Sequence, residues 1–156
     1  MKIRPPVSKD ASAISTMVVD LNPIVEEPPG AMTPEKVLAD AIGPDALLRC
    51  LVAEEDGALI GFAFWHDAYE SAHSARGAHV TDFYVAESHR GAGVALKLMS
   101  AVAKAVKADG GVYIWLTAAQ ENARARAFYD KHFDVEEDGA VAYAVTREHF
   151  KALAEG

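Results

Sequence analysis

The stretch VTDFYVAESHRGAGVALKLM carries the densest chemical signal in the chain, because a β-rich run enters glycines that open an amphipathic helix. Gly91 and Gly93 have no side chains, so backbone N–H groups there can approach a ligand closely, and the start of a helix adds positive potential. That combination suits a pyrophosphate. Two familiar phosphate loops do not fit: a dinucleotide fingerprint needs a third glycine where Leu96 stands, and a P-loop needs Lys then Ser or Thr where Val94 and Ala95 stand. Taken alone, the loop also fits a glycine turn that binds nothing.

The elements around this loop follow from hydrophobic period and turn residues. A short strand at Lys2 to Pro5 precedes a helix that Ser8 or Asp10 can cap, with Ala11, Ile14, Val18 and Leu21 on one face. NPIVEEPPGAM reads as a loop before a second helix, which starts near Thr33 and Pro34 and ends at Gly43 and Pro44. The runs LLRCLVAEE and ALIGFAFWH flank Asp56 and Gly57, a dipeptide that favours a tight hairpin, so they are expected to pair antiparallel. A strand over Ala78 to Val85 leads into the glycine loop, and Ala95, Leu98, Met99, Val102 and Val106 then keep helical spacing until Gly110 and Gly111. A strand VYIWLT, a helix N-capped by Asn122, and β stretches at Phe133 to Glu136 and Ala140 to Thr146 complete the order βααβββαβαββ, with room for a terminal helix. The pattern predicts an α/β (α+β) fold.

With 156 residues, 51% of them hydrophobic, the chain is expected to form one domain, 1–156. No apolar run reaches the roughly 18 residues that span a bilayer, and MKIRPPVSKD lacks the apolar stretch of a secretory signal, so no membrane association and a cytoplasmic location are expected. The single Cys50 lies in the apolar run LLRCLVA and reads as a buried, inert thiol. A formal charge of -8 repels a phosphate backbone, which argues against nucleic acid as a partner, and tilts the surface only weakly toward cationic ligands. The six histidines are scattered without a second ligand at i+4, so no metal is expected.

RGAGVA, with DFYV just before it, resembles the cofactor loop of the GCN5-related N-acetyltransferase (GNAT) family. The resemblance implies a mixed central sheet of six to seven strands with helices on both faces, and acetyl-coenzyme A as co-substrate. By that resemblance Arg90, Gly91, Ala92, Gly93, Val94, Ala95 and Leu96 bind the pyrophosphate, and Phe83, Tyr84 and Val85 lie along the pantetheine arm. NARARAFYDKHF resembles a second family motif, which carries Asn122 and Ala125 over as cofactor contacts and Tyr129 as the residue beside the sulfur. Helical spacing lets all three face one side. His132 departs from the family, which commonly has Gly there.

IVEEPPGAMTPEKVLAD and GFAFWHDAYESAHSARGAHVTDFYV are similar to the diamine and thialysine acetyltransferases of that family. This implies a small cationic amine as acceptor and a homodimer, although Thr81 and Glu121 stand where that branch usually has Glu and Trp. An alkylammonium with a pKa near 10.4 is neutral in on the order of one molecule in 10³ to 10⁴ at pH 7, so the amine must lose a proton before it attacks. Candidate bases are Asp82, His79 and the nearby His73, with water alone, Glu26 or Glu27 also open. Strand alternation puts His79 and Thr81 on one face and Asp82 on the other unless a bulge intervenes. In their bland readings His79 is a half-buried structural histidine and Asp82 pairs with Arg76. Glu26, Glu27 and Asp82 are the acidic groups expected to recognise a cationic acceptor.

Tyr129 is the expected acid. Its phenol lies about 1.5 pKa units above a thiol, a mismatch of roughly 2 kcal/mol that charge-assisted hydrogen bonding offsets as the thiolate develops. A backbone N–H at the end of the fourth strand would stabilise the oxyanion. Trp65, Trp115, Phe62 and Phe64 read as core and sheet residues. The rival readings are a non-catalytic acyl-coenzyme A binding module, an acetyltransferase acting on a protein amine, and an acyltransferase acting on charged transfer RNA, the last opposed by the charge.

Overall fold

Short apolar runs, buried without interruption from Ile60 to Trp65, build one mixed sheet, which the computed structural model shows in the order β1-β2-β3-β4-β5. The strands are β1 (Lys2–Arg4), β2 (Arg49–Glu55), β3 (Ala58–Glu70), β4 (Ala75–Val85) and β5 (Tyr113–Trp115). The first four pair antiparallel, and β5 joins β4 in parallel. The structure describes residues 1–22, 32–133 and 147–155. They fall into two compact units, Met1–Thr117 and Ala118–Gly156.

In the first unit, Asp56 and Gly57 make the β2–β3 turn with φ of 50° and 83°, the left-handed pair that matches strand twist. A second hairpin joins β3 to β4 through the turn at Ser71–Ser74, and both strands run further toward it than the hydrophobic pattern indicates. DAYESAHSARG is largely exposed, so cross-strand pairing rather than burial holds it extended.

Helix α1 (Ala11–Leu21) buries Ala11, Ile14 and Met17. Thr33 caps α2 (Pro34–Val37) by accepting the Lys36 N–H at 3.3 Å. The helix continues as a wider π-type turn over Leu38–Ile42, closed by the Gly43 N–H on the Leu38 carbonyl at 2.7 Å. Residues of α1 and α2 pack on the face of the sheet that carries Cys50, Val52, Phe62 and Phe64. Burial raises the pKa of the Cys50 thiol and keeps it protonated. Helix α3 (Val94–Ala108) buries Leu98, Met99, Val102 and Val106 as expected, with Val94 and not Ala95 completing the row, and covers the other face. A bulge at Ile60, skipped where Ala53 pairs Gly61 and Glu54 pairs Leu59, turns that side chain toward the cluster of Ala53, Val85 and Val94.

Asp10 stands at the start of α1 without capping it through its side chain. Its carboxylate instead accepts from Arg4 Nη1 at 2.6 Å and from the Val7 N–H at 2.7 Å, while Arg4 Nε donates to Glu54 at 2.7 Å. Hydrogen bonding from Arg4 is the largest cause that holds the buried Asp10 carboxyl below the usual carboxylate range. Because the folded pKa is depressed, this stabilisation is present above the unfolded value near 3.9 and is lost as pH falls through the folded value. Asp10→Asn is expected to lower unfolding free energy by about 2 kcal/mol at pH 7, with the difference shrinking below about pH 4. Denaturant titrations at the two pH values check this, and equal midpoints at pH 7 would refute it.

The second unit contains α4 (Ala123–His132) and α5 (Arg147–Glu155). Of the expected later β stretches, residues 134–146 lie outside the described residues, as do Glu26 and Glu27. Five strands are therefore seen among the described residues, against six to seven expected. None of the described helices is long and apolar enough to cross a membrane.

Candidate active site

Gly91 and Gly93 adopt φ of 81° and 79°, a left-handed backbone that other residues enter at a cost of about 1–2 kcal/mol. A Cβ added at either position would meet nothing within 4 Å. The glycines are therefore needed for backbone conformation, and the space beside them is open. Gly93 is the N-cap of α3 and supplies no side-chain acceptor, which leaves the first-turn N–H groups without a capping partner. Val94 is buried and Ala95 packs on the core, so at these positions only the backbone is offered to a ligand. Arg90 ties the loop to the end of β4, with Nε donating to the Val85 carbonyl at 2.8 Å and its guanidinium 5.9 Å from the Tyr84 ring centroid. Uncapped N–H groups at the start of a 15-residue helix fit an anionic ligand such as a pyrophosphate.

The strand entering this loop has one open edge. β4 pairs with β5 only from Gly77 to His79, whereas its pairing with β3 continues to Val85. From Val80 to Val85 the edge away from β3 has no strand partner among the described residues, which suits an extended amide-bearing chain. His79 is the last residue on the closed side of this fork.

A bulge lies beside the fork. Phe64 pairs Asp82 and Trp65 pairs Val80, so Thr81 is the extra residue. Simple alternation would separate His79 from Asp82, but the extra residue brings both onto the face that also carries Phe64 and Tyr84. Asn22, just past the end of α1, donates to Asp82 at 3.4 Å, and Tyr84 donates to Asp20 of α1 at 3.4 Å. Asp82 is thus met by Asn22 and not, as the sequence allowed, by Arg76.

His79 lies between two aromatic neighbours. Its Nδ1 is 3.2 Å from Nε2 of His66, its cross-strand partner, and its ring is 4.6 Å from Trp115 on β5. Burial, and secondarily the charge of His66, lower the pKa of His79 below the ordinary histidine value. His73 is not part of this group. It sits in the Ser71–Ser74 turn beside Glu70, roughly 15–20 Å along the hairpin from His79 at about 3.4 Å per residue. Of the aromatic residues read as core and sheet, Trp65, Phe62 and Phe64 are buried, whereas Trp115 lies in β5 and is 52% exposed. His66 and Asn22 were not singled out from the sequence, since their placement depends on strand register and on where α1 ends.

In the second unit, the Asn122 side chain caps α4 by accepting the Ala125 N–H at 3.0 Å. Tyr129 lies against Phe128 and Phe133, with ring centroids 5.5 and 5.7 Å away. Burial raises the pKa of its phenol, so the O–H stays protonated through neutral pH. No group of three or more His, Cys, Asp or Glu among the described residues could hold a metal ion.

A family model described as "Acetyltransferase (GNAT) family" matches residues 17–134. No curated protein gave a significant sequence match. Among solved structures, an integron cassette protein from the mobile metagenome of V. cholerae superposes with TM-score 0.79 at 17% identity, covering 99% of this chain and 98% of the other. A ribosomal-protein-alanine N-acetyltransferase from Brucella melitensis biovar Abortus 2308 gives 0.72 at 20% identity, covering 94% and 100%. An aminoglycoside acetyltransferase from an uncultured soil metagenomic sample, in complex with trehalose, gives 0.73 at 16% identity, covering 94% and 96%. These likenesses show a shared fold.

Proposed function

The chain belongs to the acetyltransferase (GNAT) family and is an acetyl-coenzyme A-dependent N-acetyltransferase, and we propose that its acceptor is a small cationic amine bound on the α1 side of β4. The observation that carries this reading is the Thr81 bulge, which puts an acid, Asp82, and a base, His79, on one face beside the fork. The two units would act as one catalytic domain, a reading supported by a family match that runs across their boundary at Thr117.

Acetyl-coenzyme A supplies the acetyl group as a thioester. Arg90 to Leu96 would hold its pyrophosphate through backbone N–H groups, Phe83, Tyr84 and Val85 would line the pantetheine arm, and Asn122 and Ala125 would add contacts from α4. Asp82 pairs with the ammonium group of the acceptor in this scheme. The reacting ammonium gives its first proton to solvent before the attack, and His79 accepts the second as the amine nitrogen bonds to the acetyl carbon. A backbone N–H near the end of β4 donates to the carbonyl oxygen, where negative charge develops. The Tyr129 O–H protonates the sulfur as the carbon–sulfur bond breaks.

The finer assignment is to the diamine and thialysine branch, with Glu26 and Glu27 joining Asp82 in recognising charge, and with a homodimer as that branch implies. Small-molecule acceptance has a fold-level parallel in the aminoglycoside acetyltransferase, and acceptance of a protein amine has one in the ribosomal-protein-alanine enzyme. A thiol-release screen separates these acceptors and also tests the non-catalytic alternative. Diamines and lysine analogues are expected to exceed neutral amino amides by about ten-fold in kcat/KM, less so at high salt. Light scattering at micromolar concentration should show the dimer. A neutral, acidic or peptide acceptor as the best substrate would overturn the cation reading, and a monomer would remove the branch assignment.

A further inference from the structure

We propose that His66 is a positioning residue for acetyl transfer, holding His79 in the tautomer whose Nε2 lone pair is free to take the proton of the incoming amine. The inference rests on the reading of His79 as the base. It starts from the far end of a short chain of hydrogen bonds. His66 Nδ1 lies 3.0 Å from the backbone carbonyl oxygen of Asp67. A carbonyl oxygen only accepts, so Nδ1 carries the hydrogen. A neutral imidazole has one ring hydrogen, which leaves His66 Nε2 as an acceptor. The atom facing that acceptor at 3.2 Å is His79 Nδ1, which must therefore be the donor. The single ring hydrogen of neutral His79 is then on Nδ1, and Nε2 keeps its lone pair. Among the described residues nothing hydrogen-bonds that Nε2.

Register makes the contact a feature of the fold. His66 and His79 are direct cross-strand partners, and the two rings meet edge-on at 88° with centroids 5.1 Å apart. Trp115, the β5 partner of His79, covers the ring from the other side at 4.6 Å. The groups facing His79 are therefore His66 from β3 and the uncharged Trp115 from β5, with Asp82 on the same face of its own strand and Asn22 reaching Asp82 from beyond α1. Two adjacent imidazoles resist holding two protons together, and burial disfavours charge on His79 in any case. His79 therefore rests neutral at and above neutral pH. As the amine N–H bond breaks and the His79 Nε2–H bond forms, the pair gains one positive charge, and the Nδ1–H bond to His66 becomes charge-assisted.

The test uses the whole enzyme with ¹⁵N-labelled histidine. Long-range ¹H–¹⁵N correlation at mildly alkaline pH is expected to show His79 with hydrogen on Nδ1 in the wild type and in His66→Gln, whose amide oxygen can still accept. His66→Leu is expected to lose that preference and to lower kcat/KM by about ten-fold. Its pH profile should shift as the protonation of His79 changes, while acetyl-coenzyme A affinity stays the same. His66→Gln should retain activity within about two-fold of wild type. An Nε2–H tautomer of His79 in the wild type would overturn the proposal, as would a His66→Leu enzyme with unchanged tautomer and profile. The tautomer readout needs no acceptor: its loss in His66→Leu supports the positioning role even if every small amine fails as a substrate, which would overturn the acceptor reading alone.

Discussion

Gly93→Glu is expected to weaken acetyl-coenzyme A binding by about 100-fold or more, close to 2.7 kcal/mol, while the protein stays folded. Two costs combine. The left-handed φ of 79° is unfavourable by about 1–2 kcal/mol for a residue with a Cβ, so the loop either carries that strain or relaxes and re-aims the N–H groups at the start of α3. The new carboxylate then opposes the pyrophosphate directly, at the end of a helix that favours anions only while its own N–H groups are unspent. A side chain at this position meets nothing within 4 Å, and α3 keeps its buried row from Val94 to Val106, so global unfolding is not expected. Gly93→Ala isolates the first cost and should show a smaller loss, about ten-fold. Calorimetric titration, with circular dichroism to confirm folding, measures both variants. Unchanged affinity in Gly93→Glu would remove the cofactor loop from Arg90 to Leu96.

What could be read from residues alone follows the strength of local rules. The glycine turn was legible because glycine enters the left-handed backbone at 91 and 93 without the cost a Cβ brings, and α3 because its buried positions keep helical spacing. Asn122 was legible as a cap because its side chain satisfies an N–H that the helix itself leaves open. The bulge between His79 and Asp82 could be allowed for but not placed at Thr81. An extra residue changes the face of everything beyond it without altering composition, and only the β3–β4 register reveals it. The same limit hid His66, whose partner depends on a turn at Ser71–Ser74 inside a polar run that shows no strand period. β5 came out as Tyr113–Trp115 instead of the whole of VYIWLT, because its pairing with β4 ends at His79. The open fork thus arises from pairing that stops, a feature that propensity does not encode.

Tyr129→Phe is expected to lower kcat by on the order of 100-fold, about 2.7 kcal/mol, with little change in stability or in acetyl-coenzyme A affinity. The substitution keeps the ring that Phe128 and Phe133 contact and removes only the hydroxyl. A pure packing role would leave the rate intact. Because burial raises the phenol pKa, the donor stays protonated through the range in which amines are assayed, and its ionisation should not limit activity below about pH 10. The same shift makes the phenol a weaker acid in the ground state. Its benefit must therefore come late, when negative charge on sulfur strengthens the hydrogen bond. It follows that the defect depends on the leaving group: an acetyl donor built on a more acidic thiol needs less protonation, so the wild-type to Tyr129→Phe rate ratio should shrink with it. An equal ratio for both donors would show that the hydroxyl acts elsewhere, and an unchanged kcat with the natural donor would return Tyr129 to packing in α4.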